Sequence, residues 1–373
     1  MPTQQHPSWL GLSSAGLRRP ALLVISIALA AGALLVAACD REGATATPPR
    51  WDARSVAQSF EKVPFTPVLV SEGIGRGPTR LGIALFQRDG TLVLSGSLTA
   101  RIYRIADDPE TNPTEGTLLD LFKFTARTID TADHEQHTQR LRGPVDLDVA
   151  GRALVDVALN EPARDLGTPV LPAHDGAMTT IFTTMVDFPT SGRWGAQIDV
   201  ETGGRTYRGL LVPINVLERT SEPMIGEVPP ASKQPLGKDV ANLSEIDSST
   251  THNPALHNMT VADAIASGKP TVVAFVTPAF CQTRFCGPVM KNVVVPALKE
   301  FGGRANVLHI EPVNLAVARR GALEASATFK EWNMKTEPFI FVLDRQGRVS
   351  AKFIGIIDYA EVKQALDAAL AAK

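Results

Sequence analysis

The sequence predicts a multidomain chain, an all-β part followed by an α/β part, and three observations carry that expectation. Between about residues 65 and 217 apolar and polar residues alternate in short segments broken by turn signals, the pattern of antiparallel sheets with one buried face. Beyond residue 250 the pattern switches to segments of strand and helix character in alternation. Between the two, residues 218–250 carry Pro223, Pro229, Pro230 and Pro235 and lead into the run Ser248-Ser249-Thr250-Thr251, which reads as a linker. A chain of 373 residues is long enough for about two domains once a leader is set aside.

Residues 1–39 read as a targeting segment: a polar start, Arg18-Arg19, an apolar run from Ala21 to Ala38, then Cys39. The end of that run, Leu35-Val36-Ala37-Ala38-Cys39, resembles a bacterial lipobox, which implies cleavage before Cys39 and lipid attachment to its sulfur. The alternative is an uncleaved membrane helix, since 18 apolar residues at about 1.5 Å rise span about 27 Å. Either way the remainder is expected to be tethered to the cell membrane and to face outward. A twin-arginine signal fits less well, because Pro20 follows the arginines directly. Residues 40–64 are polar and are expected to form a flexible spacer.

Within 65–217, Leu81, Ile83 and Leu85 alternate before Asp89-Gly90 and Leu92 and Leu94 alternate after it, which reads as a hairpin. Val145, Leu147 and Val149 repeat the pattern, as do Val155, Val157 and Leu159. Trp194, Ala196, Ile198 and Val200 run up to Gly203-Gly204, and Leu210, Val212, Ile214 and Val216 return. About seven such strands favour a β-sandwich of immunoglobulin-like type. No chemistry is legible here. His134 and His137 have metal-ligand spacing, but without a third ligand nearby a solvated loop is the plainer reading.

From 251 to 373, Thr260 and Asp263 bracket the start of a short helix, Val261 to Ser267, and Thr271 to Val276 is an apolar run suited to a strand buried on both faces. Pro288 to about Phe301 and Ala322 to Trp332 read as helices and Ala305 to Ile310 as a strand. Phe339 to Leu343 and Val349 to Ile356 read as a hairpin around Asp344-Arg345-Gln346-Gly347, and Tyr359 to Ala371 as a closing helix. Net charge is near −2, with 37 basic and 39 acidic residues scattered along the chain, so nothing points to a nucleic-acid partner. Of three cysteines, one is the candidate lipid site and the other two, Cys281 and Cys286, stand close together with none elsewhere to staple the fold.

These residues carry a resemblance to the thioredoxin-like family over about Leu256 to Lys373. Thr271-Val272-Val273-Ala274-Phe275 through Phe280-Cys281 resembles the family's central strand and first active-site cysteine, Cys286-Gly287-Pro288 its helix start, and Thr336-Glu337-Pro338-Phe339 its cis-proline segment. The resemblance implies a Cys281–Cys286 redox pair, capable of forming a disulfide, with Pro338 receiving the partner's extended chain. Physical reasoning meets it halfway: with Pro288 suited to a first helical position, Cys286 falls beside the positive end of a helix, where a thiolate is favoured. Counting from the strand makes Cys281 the nucleophile and counting from the helix makes it Cys286; the dipole argument favours Cys286. Arg284 inside the loop adds positive potential. Two departures stand out: Gln282-Thr283-Arg284-Phe285 places four residues between the cysteines where the family has two, and Ala274 replaces a buried acid. Proton transfer then needs water, Glu337 or His309, although His309 as a satisfied strand-end histidine is the plainer reading.

The expected activity is thiol–disulfide oxidoreduction on protein thiols and disulfides, with no cofactor and no metal. Two alternatives come from other classes. One is copper binding and delivery, since the Sco copper-assembly proteins also combine an anchor, this fold and a widened cysteine pair, and soft thiolates select Cu(I). That family supplies a histidine late in the fold, whereas Lys335 to Lys373 contains none, leaving His309 or His257 as substitutes. The other is a non-catalytic adaptor whose sandwich binds a partner.

Overall fold

The computed structural model describes residues 49–71, 73–105, 116–131, 178–281, 283 and 285–372. The leader with Cys39, the pair His134 and His137, the alternating segments 145–149 and 155–159, and Arg284 lie outside the described residues. Among the described residues no helix is long and apolar enough to cross a membrane.

Residues 49–64 are not a bare spacer but contain a helix, α1 (Ala53–Phe60), capped by Asp52, whose carboxylate accepts from the Ser55 N–H at 2.9 Å. Trp51 is only 1% exposed because it packs on Gly195, where any side chain would meet its ring. With Val56, Tyr103, Ile105 and Leu211 it forms a small apolar cluster. The polar composition of this stretch is misleading, because one tryptophan and one helix face suffice to anchor it.

Among the described residues seven strands follow: β1 (Phe65–Leu69), β2 (Gly77–Gln87), β3 (Ser97–Ile105), β4 (Gly116–Asp130), β5 (Met178–Phe188), β6 (Gly192–Thr202) and β7 (Arg205–Val216). They form one sheet in the order β1-β2-β5-β4-β3-β6-β7, every neighbouring pair antiparallel. The immunoglobulin-like pair of separate sheets is not confirmed. The physical reason is the length of β4, which pairs with β3 from Gly116 to Phe124 and with β5 from Thr125 to Asp130. A single strand therefore belongs to both halves of the sheet. Inward residues of both halves, among them Leu81, Ile83, Leu98, Ile102, Phe182, Ile198 and Ile214, meet in one core. At the far edges Leu217 exchanges backbone hydrogen bonds with Ile74 and Arg76.

The expected alternation is there: Trp194, Ala196, Ile198 and Val200 are all buried, as are Leu210, Val212, Ile214 and Val216. The turn at Asp89-Gly90 is also there, with Gly90 at φ 81° and Val93 bonding back to Leu85. In β2, however, Ala84 and Phe86 on the opposite face are buried too. They join a second cluster that continues into the α/β part through Ala274, Phe353, Ile356 and Val362.

That part contains α2 (Val261–Ala266), β8 (Thr271–Phe275), α3 (Cys286–Val289), a π-helical turn (Met290–Val294), α4 (Val295–Phe301), β9 (Asn306–Ile310), α5 (Leu315–Ala318), α6 (Ala327–Glu331), β10 (Phe339–Leu343), β11 (Val349–Ile354) and α7 (Tyr359–Ala371). The sheet order is β11-β10-β8-β9, with β8 and β9 parallel and the other pairs antiparallel. The order of elements along the chain, a strand, the cysteine loop, a helix, a strand, a helix, a hairpin and a closing helix, is the expected one. The wide π turn sits just ahead of Pro296, which has no N–H to return to a tighter ladder. The helix expected from Ala322 to Trp332 is shorter, starting only at Ala327 behind its cap Ser326.

The segment 218–250 is packed rather than free. Glu222 accepts from the Lys352 ammonium at 2.6 Å, Trp332 donates its indole N–H to Ser232 at 2.9 Å, and Gly226 and Glu227 pair with Val349 through the backbone. The α/β part is fastened to the large sheet by a buried ion pair: Arg80 of β2 donates twice to Glu361 of α7, each at 2.8 Å, and also to the Ile356 carbonyl at 2.8 Å. Arg127 of β4 adds a 3.0 Å bond to Asp358.

Candidate active site

Strand β8 delivers the chain to Val276-Thr277-Pro278, and the loop that follows places Cys281 against the start of α3. The helix opens at Cys286, two residues earlier than the proline signal suggests, with Phe285 as its cap residue. The free N–H that opens that first turn, on Cys286, therefore points at Cys281 rather than at the sulfur of Cys286. The Cys286 N–H donates to Cys281 Sγ at 3.3 Å, and the Thr283 hydroxyl lies 3.3 Å from the same sulfur. Both cysteines are free thiols, 2% and 0% exposed.

Opposite them the Glu337–Pro338 peptide bond is cis. The Thr283 hydroxyl lies 3.4 Å from the Glu337 carbonyl, so its single proton serves that oxygen when Cys281 is a thiol and the sulfur when Cys281 is a thiolate, and it sits between the cysteine loop and the proline segment. The two sulfurs and a carboxylate oxygen of Glu337 lie within 4.8 Å of one another. The structure thus brings together Cys281, Cys286, Pro338 and Glu337.

Electrostatics separates the two thiols. Burial by itself would push Cys281 up, but hydrogen bonds from the Cys286 thiol, the Thr283 hydroxyl and the backbone N–H groups of Cys286 and Thr283 outweigh it and bring it down to about 6. Burial pushes Cys286 well above the usual thiol range, and the neighbouring Cys281 and Glu337 charges push it further. The helix-start N–H expected to favour a thiolate at Cys286 is directed at Cys281 Sγ, so the dipole argument acts on the other sulfur.

His309 is not with the cysteines. Its Nε2 donates to the Val276 carbonyl at 2.9 Å, and its ring lies obliquely beside His257, with centroids 5.1 Å apart. Asp247 completes this second group, accepting from His257 Nε2 at 3.1 Å. Burial lowers His309 to about 4, against the pull of Asp247. Asp247 would be raised by burial, yet bonds from His257 and Ser249 and the His309 ring hold it well below the usual carboxylate range. Glu311, accepting from the Ser248 N–H at 2.7 Å, is pushed up by burial to about 8.

Sequence reasoning missed Asp247, which sits in a run that reads as linker, and Glu311. One signal was available: His309 and Glu311 stand two apart at the end of a strand otherwise apolar, so they share a face of a buried element. No family model and no curated protein matches the chain. Among solved structures it is similar to a thiol:disulfide interchange protein of the thioredoxin family from Chlorobium tepidum TLS, at 17% identity over 38% of this chain and 99% of that one, with a TM-score of 0.23. A likeness that slight carries no argument, and the chain's own strand order and cysteine geometry stand without it.

Proposed function

We propose that the protein is a membrane-anchored, extracytoplasmic thiol–disulfide oxidoreductase in which Cys281 attacks and Cys286 resolves. The observation that carries this is the unequal pair: one sulfur accepts from the Cys286 N–H at a helix start and lies 3.3 Å from the Thr283 hydroxyl, the other is fully buried beside it, and a carboxylate oxygen of Glu337, the residue before Pro338, lies within 4.8 Å of both. In the forward direction the Cys281 thiolate attacks a partner disulfide and expels one partner thiolate. Cys286, after losing its proton, attacks the mixed disulfide, releasing the second partner thiol and leaving a Cys281–Cys286 disulfide. Two electrons pass from the pair to the partner, and the reverse sequence oxidises a partner dithiol. Because Cys281 is nearly enclosed, a partner has to displace its cover to reach it; the segment beside Pro338 is where its extended chain would lie.

Copper delivery is the second reading, favoured by two thiols and a third donor within 4.8 Å. That third donor is the Glu337 carboxylate, a hard ligand poorly suited to Cu(I), while His257 and His309 keep company with Asp247. Reduction of insulin by dithiothreitol tests the first reading. The full chain is expected to accelerate it, Cys281→Ser to abolish the acceleration, and Cys286→Ser to trap a mixed disulfide. Tight 1:1 Cu(I) uptake with no acceleration would transfer the assignment to copper, and inertness in both assays would leave the adaptor.

A further inference from the structure

We propose that Asp247, His257 and His309 form a binding site for a divalent transition ion, zinc being the one its donors fit best, lying behind the cysteine loop. One ligand atom from each residue lies within 4.8 Å of the others, and the three side chains are 1%, 3% and 0% exposed. They arrive from separate places: a loop, a 3-10 turn (Pro254–His257) and the end of β9.

The tautomer of His309 is what makes this a ligand set. Its Nε2 faces the Val276 carbonyl at 2.9 Å and must donate, so Nδ1 carries a bare lone pair. That Nδ1 is fully buried, has no hydrogen-bond partner, and lies 3.7 Å from Asp247 Oδ1. A ring fixed by one N–H on a backbone carbonyl, with the other nitrogen unpartnered and aimed at a carboxylate, is the arrangement metal-ligating histidines adopt. Nor is Asp247 loosely held, since it also accepts from the Ser249 N–H at 2.8 Å.

Two imidazoles and one carboxylate match zinc sites that leave a fourth position for another ligand. The octahedral oxygen sets of magnesium and calcium do not fit them. Binding requires the ring proton that His257 Nε2 directs at Asp247 to move to Nδ1, which frees the Nε2 lone pair for the ion, and the carboxylate offsets one of the two charges of the ion. The ion would pin the 247–257 segment to β9. Because Ser248 accepts from the Ala279 N–H at 3.2 Å, and His309 holds Val276, it would also brace the approach to Cys281.

The test uses the full chain, detergent-solubilised, carrying Cys281→Ser and Cys286→Ser so that neither thiolate can bind metal and failure of the redox assignment is irrelevant. After equilibration with zinc and gel filtration it should retain about one ion per chain. Cobalt(II) should give a tetrahedral ligand-field spectrum without sulfur charge transfer. Adding His309→Gln or His257→Gln should weaken binding by about 100-fold or more. Should those variants not fold, the thermal midpoint of the chain carrying only the two serine substitutions should rise with zinc concentration and fall back with chelator. No retained zinc, unchanged retention in both glutamine variants, or a midpoint indifferent to zinc overturns the proposal.

Discussion

The large sheet and the α/β part bury their side chains in opposite styles. Inside the seven-stranded sheet the core is Leu, Ile, Val, Phe, Ala and Trp, and among the described residues the charged side chain buried on that sheet, Arg80 with its partner, belongs to the junction. The α/β part hides Cys281, Cys286, Asp247, His257, His309, Glu311 and Glu337 around one set of strand ends. Burying such groups opposes folding unless each finds a partner, so their concentration on one side marks the candidate site. The sheet contributes rigidity, through a shared apolar cluster and the Arg80–Glu361 pair.

The contrast can be broken at graded strengths. The largest effect belongs to the chemistry: Cys281→Ser should lower disulfide-exchange turnover by about 1000-fold or more while leaving circular dichroism and the denaturation midpoint near those of the parent. Next comes the junction, where Arg80→Met takes both short charge-assisted bonds from the buried Glu361 carboxylate, leaving it Arg127 at 3.5 Å and Thr183 at 3.4 Å, and should cost about 3–5 kcal/mol in urea unfolding. Adding Glu361→Leu should restore most of that loss, and a double variant as unstable as the single one would mean the pair is not what joins the two parts. Within the sheet, Phe182→Ala leaves a cavity among fully buried neighbours and should cost a similar ~3–5 kcal/mol without altering the reactivity of Cys281. A finer change is Thr283→Ala, which removes one hydrogen bond to the thiolate and should move the alkylation midpoint of Cys281 upward by about one pH unit. On the outer face of β4, Leu121→Ser should stay within about 0.5 kcal/mol of the parent, because that side chain is exposed.

What the sequence made legible follows the same division. Period-two alternation identified the inward residues of β6 and β7, and the order of the α/β elements was readable because each is bounded by caps, glycines or prolines, as Thr260 and Gly268 bound α2. The joining of the two sheet halves was not readable, since nothing in the residues of β4 says that its partner changes at Thr125. The second buried face of β2 was hidden for a related reason: Ala84 and Phe86 are covered by elements distant in the chain. Cysteine spacing and Pro338 disclosed the candidate redox pair, but the poised sulfur turned on where α3 begins, and a shift of two residues moved the helix N–H groups from one thiol to the other. Asp247 escaped notice because a Ser/Thr-rich stretch reads as linker whether or not one carboxylate in it is buried.

The inequality of the two thiols is most directly tested by pulse alkylation of the reduced full chain with iodoacetamide from about pH 4 to about pH 10, locating the modified cysteine by peptide mass at each pH. Cys281 should be the site labelled, with a rate that rises as pH increases through about 6 and then levels off, while Cys286 stays unmodified across that range. Labelling of Cys286 first, or of both with a common midpoint at about 8.5, the value of an ordinary thiol, would contradict it.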